Sequence, residues 1–80
     1  MKVKVELQAY LEQYSPSGQG VFEYELPEGA SVHDLIRKLN VPEELASVII
    51  VSNSAAAVDH PLREGDHVTL IPPLAGGSAA

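Results

Sequence analysis

The residues of this 80-residue chain best placed for chemistry with another molecule are two adjacent glycines near its end, Gly76 and Gly77. They follow Pro72-Pro73-Leu74-Ala75, which in turn follow an alternating stretch, His67-Val68-Thr69-Leu70-Ile71. Two prolines remove two backbone donors and hold φ near the polyproline value, so a sheet has to stop there. The glycines then strip a short stretch of its side chains. A stiff exit followed by a bare dipeptide suits a tail threaded into the narrow site of another protein. Fraying of a chain end accounts for Gly-Gly-Ser-Ala-Ala, but it gives no reason for Pro-Pro-Leu-Ala directly after a strand.

The elements that must position this tail are legible as periodic patterns. Val3, Val5 and Leu7 alternate with Lys2, Lys4, Glu6 and Gln8, which predicts a strand with one buried face. After the turn-rich Ser15-Pro16-Ser17-Gly18-Gln19-Gly20, alternation resumes over Val21–Leu26, with Phe22, Tyr24 and Leu26 toward the core. The two strands are expected to pair as a hairpin with a long loop. Tyr10, Leu11 and Tyr14 at the start of that loop either cap the core edge, the preferred reading, or offer a contact patch. Ser31 then precedes Val32, Leu35, Ile36 and Leu39, an apolar stripe at helical spacing. Asp34, three residues after Ser31, completes a capping-box pattern in which the shorter acid replaces glutamate. Arg37 and Lys38 suit the last turn, Asn40 a left-handed cap, and Pro42 forbids continuation, so a three-turn helix is expected.

Pro42–Leu45 reads as a short helical turn. Val48-Ile49-Ile50-Val51 is a β-branched run suited to a strand covered on both faces or lying in mid-sheet. Ala55–Val58 reads as a short edge strand, Gly65 as a left-handed turn residue, and Val68–Ile71 as the final strand. One helix cannot serve several parallel crossovers, so it must lie across one face of a mixed sheet, an α+β arrangement. A right-handed crossover from the second strand would set the third beside the hairpin. This is the β-grasp, ubiquitin-like layout, with four to five strands. Residues 1–71 are expected to form the single domain and 72–80 a flexible tail carrying the diglycine.

Composition narrows the function classes. There is no cysteine, so disulfides, thiolate metal sites and sulfur carried on a thiol are all excluded. A formal charge of -6 disfavours nucleic acid and anionic membranes as partners. The acidic surface either steers docking onto a basic partner or only maintains solubility, two readings of equal weight. No apolar run approaches the roughly 18 residues of a membrane span, and the charged, alternating start is no signal peptide. A cytoplasmic location is expected.

The pattern as a whole resembles the MoaD/ThiS family of ubiquitin-like sulfur carriers. The resemblance is carried by Leu26-Pro27-Glu28-Gly29-Ala30-Ser31-Val32 with Leu35 and Leu39, by Leu62-Arg63-Glu64-Gly65-Asp66-His67-Val68, and by Pro72-Pro73-Leu74-Ala75-Gly76-Gly77. The double proline is more similar to the small subunit of molybdopterin synthase than to the thiamine-pathway carrier. The resemblance implies a protein substrate and carrier that binds no cofactor and is not an enzyme. A ubiquitin-activating-like adenylating partner would use ATP to convert the Gly77 carboxylate to an acyl-adenylate. A sulfur donor would displace AMP to leave a thiocarboxylate, and the large subunit of a synthase would receive the sulfur, in molybdopterin synthesis. Gly76 would permit close approach, while Pro72, Pro73, Leu74 and Ala75 hold the tail extended in the partner. The docking surface would be the exposed sheet face, with Lys2, Lys4, Thr69 and Ile71 as its candidates.

Two features depart from the family pattern. Ser78, Ala79 and Ala80 follow Gly77, so its carbonyl is held in an amide, and a processing metalloprotease is the expected remedy. Val51-Ser52-Asn53-Ser54 stands where the family commonly has an Asn-Gly turn, although Asn53 can adopt the left-handed conformation. Other functions compatible with the same tail are a ubiquitin-like protein modifier, a thiamine-type sulfur carrier and an interaction module with an inert tail. Remaining constellations favour bland readings. His33, His60 and His67 lack ligand spacing, Ser47, His60 and Asp66 lack a nucleophile elbow, and Gly18-Gln19-Gly20 lacks the helix a phosphate loop needs.

Overall fold

In the computed structural model, which describes residues 1–73, five strands form one sheet in the order β2-β1-β5-β3-β4. They are β1 (Lys2–Leu7), β2 (Val21–Glu25), β3 (Val48–Val51), β4 (Ser54–Ala55) and β5 (His67–Ile71), with one α-helix, α1 (Val32–Lys38). Short 3-10 segments occupy Ala9–Tyr14 and Glu43–Leu45. The β1–β2 and β3–β4 pairs are antiparallel hairpins, β3–β5 is antiparallel, and β1–β5 is parallel. The α+β, β-grasp expectation holds, with five strands.

One face of the sheet and α1 enclose the core. Val3, Val5, Leu7, Val68 and Leu70 from the two central strands meet Val32, Leu35 and Ile36 from the helix, all essentially without exposure. No polar or charged residue is buried among the described residues. Fully burying each such side chain contributes roughly 1.5–3 kcal/mol before conformational entropy is subtracted.

The helix start follows from its sequence. The Ser31 Oγ accepts from the Asp34 N–H at 3.3 Å, and the Asp34 carboxylate accepts from the Ser31 N–H at 2.9 Å. The N–H groups of Val32 and His33 donate to the carbonyls of His60 and Val58, so the loop after β4 satisfies donors that a helix start leaves orphaned. At the other end Asn40 is left-handed at φ 62°. The Val41 N–H reaches the Ile36 carbonyl and the Asn40 N–H the Arg37 carbonyl, a Schellman closure.

Three expectations are corrected. The helix has seven residues, two turns and not three, because Leu39 already serves as its C-cap. The third strand does not lie beside the hairpin: β5 takes that place, parallel to β1, and the crossover from β2 to β3 passes over both β1 and β5. Of the two alternatives for β3 the mid-sheet one holds: it is flanked on both edges and buried on one face only, Ile49 and Val51 being buried while Val48 is 42% exposed. The edge strand lies at Ser54–Ala55, not Ala55–Val58, because the residues beyond it turn away to serve the helix start. The last strand spans His67–Ile71, the full alternating stretch. The alternatives for the first loop also separate: Leu11 is buried, whereas Tyr10 is 42% exposed.

Candidate functional site

β5 is the element that delivers the tail, and both of its edges are paired, with β1 and with β3. The Gln8 N–H holds the Leu70 carbonyl at 3.1 Å, and Ile71 lies opposite Val48. The strand therefore cannot swing, and the direction in which the chain leaves Ile71 is set by the sheet. Pro72 continues the inward alternation of Val68 and Leu70 and is buried, while Pro73 is exposed. Pro72 thus belongs to the folded body, and Pro73 is the first residue free to touch a partner. The other residues assigned to the threaded tail or its processing, Leu74, Ala75, Gly76, Gly77, Ser78, Ala79 and Ala80, lie outside the described residues.

The face of the sheet opposite the helix is uncovered by the described chain. Lys2, Lys4, Thr69 and Ile71, the candidates for docking, all alternate onto it. The register adds Val48 opposite Ile71, Ile50 opposite Thr69, and Ala55 opposite Ile50. These three were not among the candidates because the β-branched run of β3 is compatible with covered faces or with a mid-sheet place, and it hides which face is open. The face is divided. An apolar half of Val48, Ile50, Ala55, Thr69 and Ile71 adjoins the tail exit. A charged half of Lys2, Lys4, Glu6, Glu23, Glu25 and His67 lies across β1, β2 and the start of β5. Within it His67 Nε2 stands 3.4 Å from Glu6, and the Lys2 amine 3.9 Å from Glu23.

The other constellations do not assemble. Asp66 accepts from the Arg63 N–H at 2.9 Å and from the Ser52 Oγ at 3.2 Å, contacts that close the turn into β5 and leave it no hydrogen bond to His60. No cluster of three metal-binding side chains occurs among the described residues. An open depression of about 460 Å³ beside the helix is lined by Pro27, Gly29, Asp34 and Arg37 among others. No described helix is long and apolar enough to cross a membrane.

The sequence profile of the ThiS family matches residues 6–77. The chain belongs to the ThiS family. As a member of the MoaD/ThiS group it is a small ubiquitin-like carrier protein of the sulfur-carrier type and not an enzyme. Among solved structures, a molybdopterin converting factor subunit 1 from Pyrococcus furiosus is 34% identical, with a TM-score of 0.70 over 91% of this chain and 98% of that one. SAMP1 from Haloferax volcanii shares the fold at 21% identity, with a TM-score of 0.72 over 96% of this chain and 100% of that one. Subunit 1 in a complex of the two subunits of the Helicobacter pylori molybdopterin-converting factor shares it at 23% identity, with a TM-score of 0.58 over 96% and 100%. No curated protein matches. For this ThiS-family chain, the profile match runs through both glycines and ends at Gly77.

Proposed function

We propose that this protein carries sulfur as a thiocarboxylate on Gly77 and delivers it to the large subunit of a molybdopterin synthase. The observation that carries the reading is the extent of the family match, which includes Gly76 and Gly77 and stops before Ser78. The likeness to a molybdopterin converting factor subunit 1 at 34% identity, and the double proline after β5, support the molybdopterin branch. The Helicobacter pylori relative in its two-subunit complex supports a large-subunit partner.

The chemistry follows from the acyl end. Gly77 is joined to Ser78, so a protease first hydrolyses that amide and frees the carboxylate. A carboxylate oxygen then attacks the α-phosphorus of ATP in an adenylating partner, and pyrophosphate leaves. A sulfide-level donor, hydrosulfide or its equivalent, attacks the acyl carbon, AMP leaves, and loss of the sulfur's proton gives the thiocarboxylate. Glycine at the acyl position presents the least hindered carbonyl, and glycine before it lets the partner's donors come close. In-line attack needs placement within a fraction of an ångström. At full extension residues 73–77 reach at most about 18 Å beyond the body, so the body itself must seat against the partner. The apolar half of the open face, next to the tail exit, is the surface for that contact.

Intact mass measurement of the protein from its native cells tests this. Loss of Ser-Ala-Ala with exchange of one oxygen for sulfur is the expected result. Conjugates of higher mass on gels indicate a modifier, and an unaltered full-length mass overturns the carrier reading. Gly77→Val should abolish AMP transfer by the adenylating partner while leaving the unfolding curve unchanged.

A further inference from the structure

We propose that the outer edge of β2 docks an extended, basic strand of a partner protein, by a contact separate from the chemistry of the tail. The sheet has two outer edges, β2 and β4. β4 is two residues long and offers almost no template, whereas β2 is five. The main-chain groups left free on β2 follow from parity. Leu26 and Met1 exchange hydrogen bonds, and the Leu7 N–H donates to the Gly20 carbonyl. Alternation along an antiparallel ladder then turns Phe22 and Tyr24 toward β1 and the N–H and C=O groups of Val21, Glu23 and Glu25 outward. No backbone bond from elsewhere in the described chain reaches them.

Side chains define the occupant. Val21, Glu23 and Glu25 lie on the open face, where an added strand would set alternate residues beside two carboxylates. On the helix side Phe22 and Tyr24, packed edge to face at 6.2 Å, are only partly buried and offer an apolar wall to the intervening residues. Glu12, whose carboxylate lies against Gly20, and Glu28, after the strand, extend the negative charge at either end. Against these four carboxylates stand three cations: Lys4, opposite Glu23 in the register, the Lys2 amine, 3.9 Å from Glu23, and the Met1 ammonium, 3.2 Å from Glu25 and 3.9 Å from Glu28. The edge is left negative. A second copy of this chain is a poor occupant, because antiparallel self-pairing about Glu23 would gather the Glu23 and Glu25 carboxylates of both copies on one face. A strand alternating basic and apolar residues satisfies the hydrogen bonds, the rings and the charge together.

The test is amide exchange of the full chain, followed by NMR, with a capped peptide of alternating lysine and valine at low ionic strength. A glutamate–valine peptide is the control. At saturation the amides of Val21, Glu23 and Glu25 should exchange about tenfold more slowly, an effect that fades as salt is added. Glu23→Lys should weaken protection by the lysine peptide and create it with the glutamate peptide. Glu23→Pro removes an outward donor without touching the β1 ladder and should abolish protection. Equal protection by both peptides, none with either, or protection that grows with protein concentration alone would overturn the proposal.

Discussion

At the scale of single residues, the Ser31–Asp34 pair shows how much one spacing determines. The Ser31 backbone N–H holds the Asp34 carboxyl below its ordinary value near 3.8. The Ser31 hydroxyl and the positive charges of His33 and Arg37 add to this against partial desolvation. A carboxylate with a lowered folded pKa stabilises the fold above the unfolded value, and the contribution is lost as pH falls through the folded one. Asp34→Ala should therefore be less stable than the parent by a margin that is full above about pH 4 and narrows in stronger acid. Urea unfolding at a series of pH values measures the margin; a gap that does not change with pH would remove the carboxylate from this role. The pair was legible because hydroxyl and acid three apart are a local signal. Leu11 was legible only in part, since nothing local distinguishes its burial from the exposure of Tyr10.

At the scale of elements, the β3–β4 hairpin meets the family's missing glycine without one. Ser52 and Asn53 both take left-handed φ, 49° and 75°, in the two-residue turn whose twist matches its strands. The Ser52 N–H donates to the His67 carbonyl at 2.8 Å and its hydroxyl to Asp66, which ties the turn to the start of β5. Asn53→Val should cost about 1–2 kcal/mol, since a β-branched residue tolerates this conformation poorly. Thermal unfolding measures that loss, and an unchanged midpoint would mean the turn has rearranged. The positions of Asn40, Asn53 and Gly65 were readable from residue type. Ser52 was not, because its strain is offset by partners distant in sequence. The helix length was overestimated for a related reason: Leu39 continues the apolar stripe but already lies in the cap.

At the scale of the whole molecule, β5 is the strand that matters, because it sits in mid-sheet and ends at the tail. Its neighbours β1 and β3 also set which residues share the open face. Ile50 lies near the middle of the apolar half, between Thr69 and Ala55. Ile50→Lys should leave stability within about 1 kcal/mol of the parent, since the side chain is only partly buried. Binding to the synthase large subunit should weaken about tenfold or more, as expected for a residue central to an apolar contact. Titration calorimetry with the large subunit reads both outcomes, and undiminished affinity would move the docking surface elsewhere.

The alternation of β1 and β2, the apolar stripe of the helix, the turn residues and the Pro-Pro-Leu-Ala-Gly-Gly exit are properties of the sequence alone. Each depends on contacts within a few residues, so they identified the fold class without coordinates. Strand order, the open face of β3, and the division between Pro72 in the body and Pro73 outside it needed the tertiary structure. Those features depend on which strand lies beside which, and pairing between residues far apart leaves no periodic trace in either partner. In this chain the turns, caps and alternation are written locally, and the open face beside the end of β5 is assembled only by the sheet.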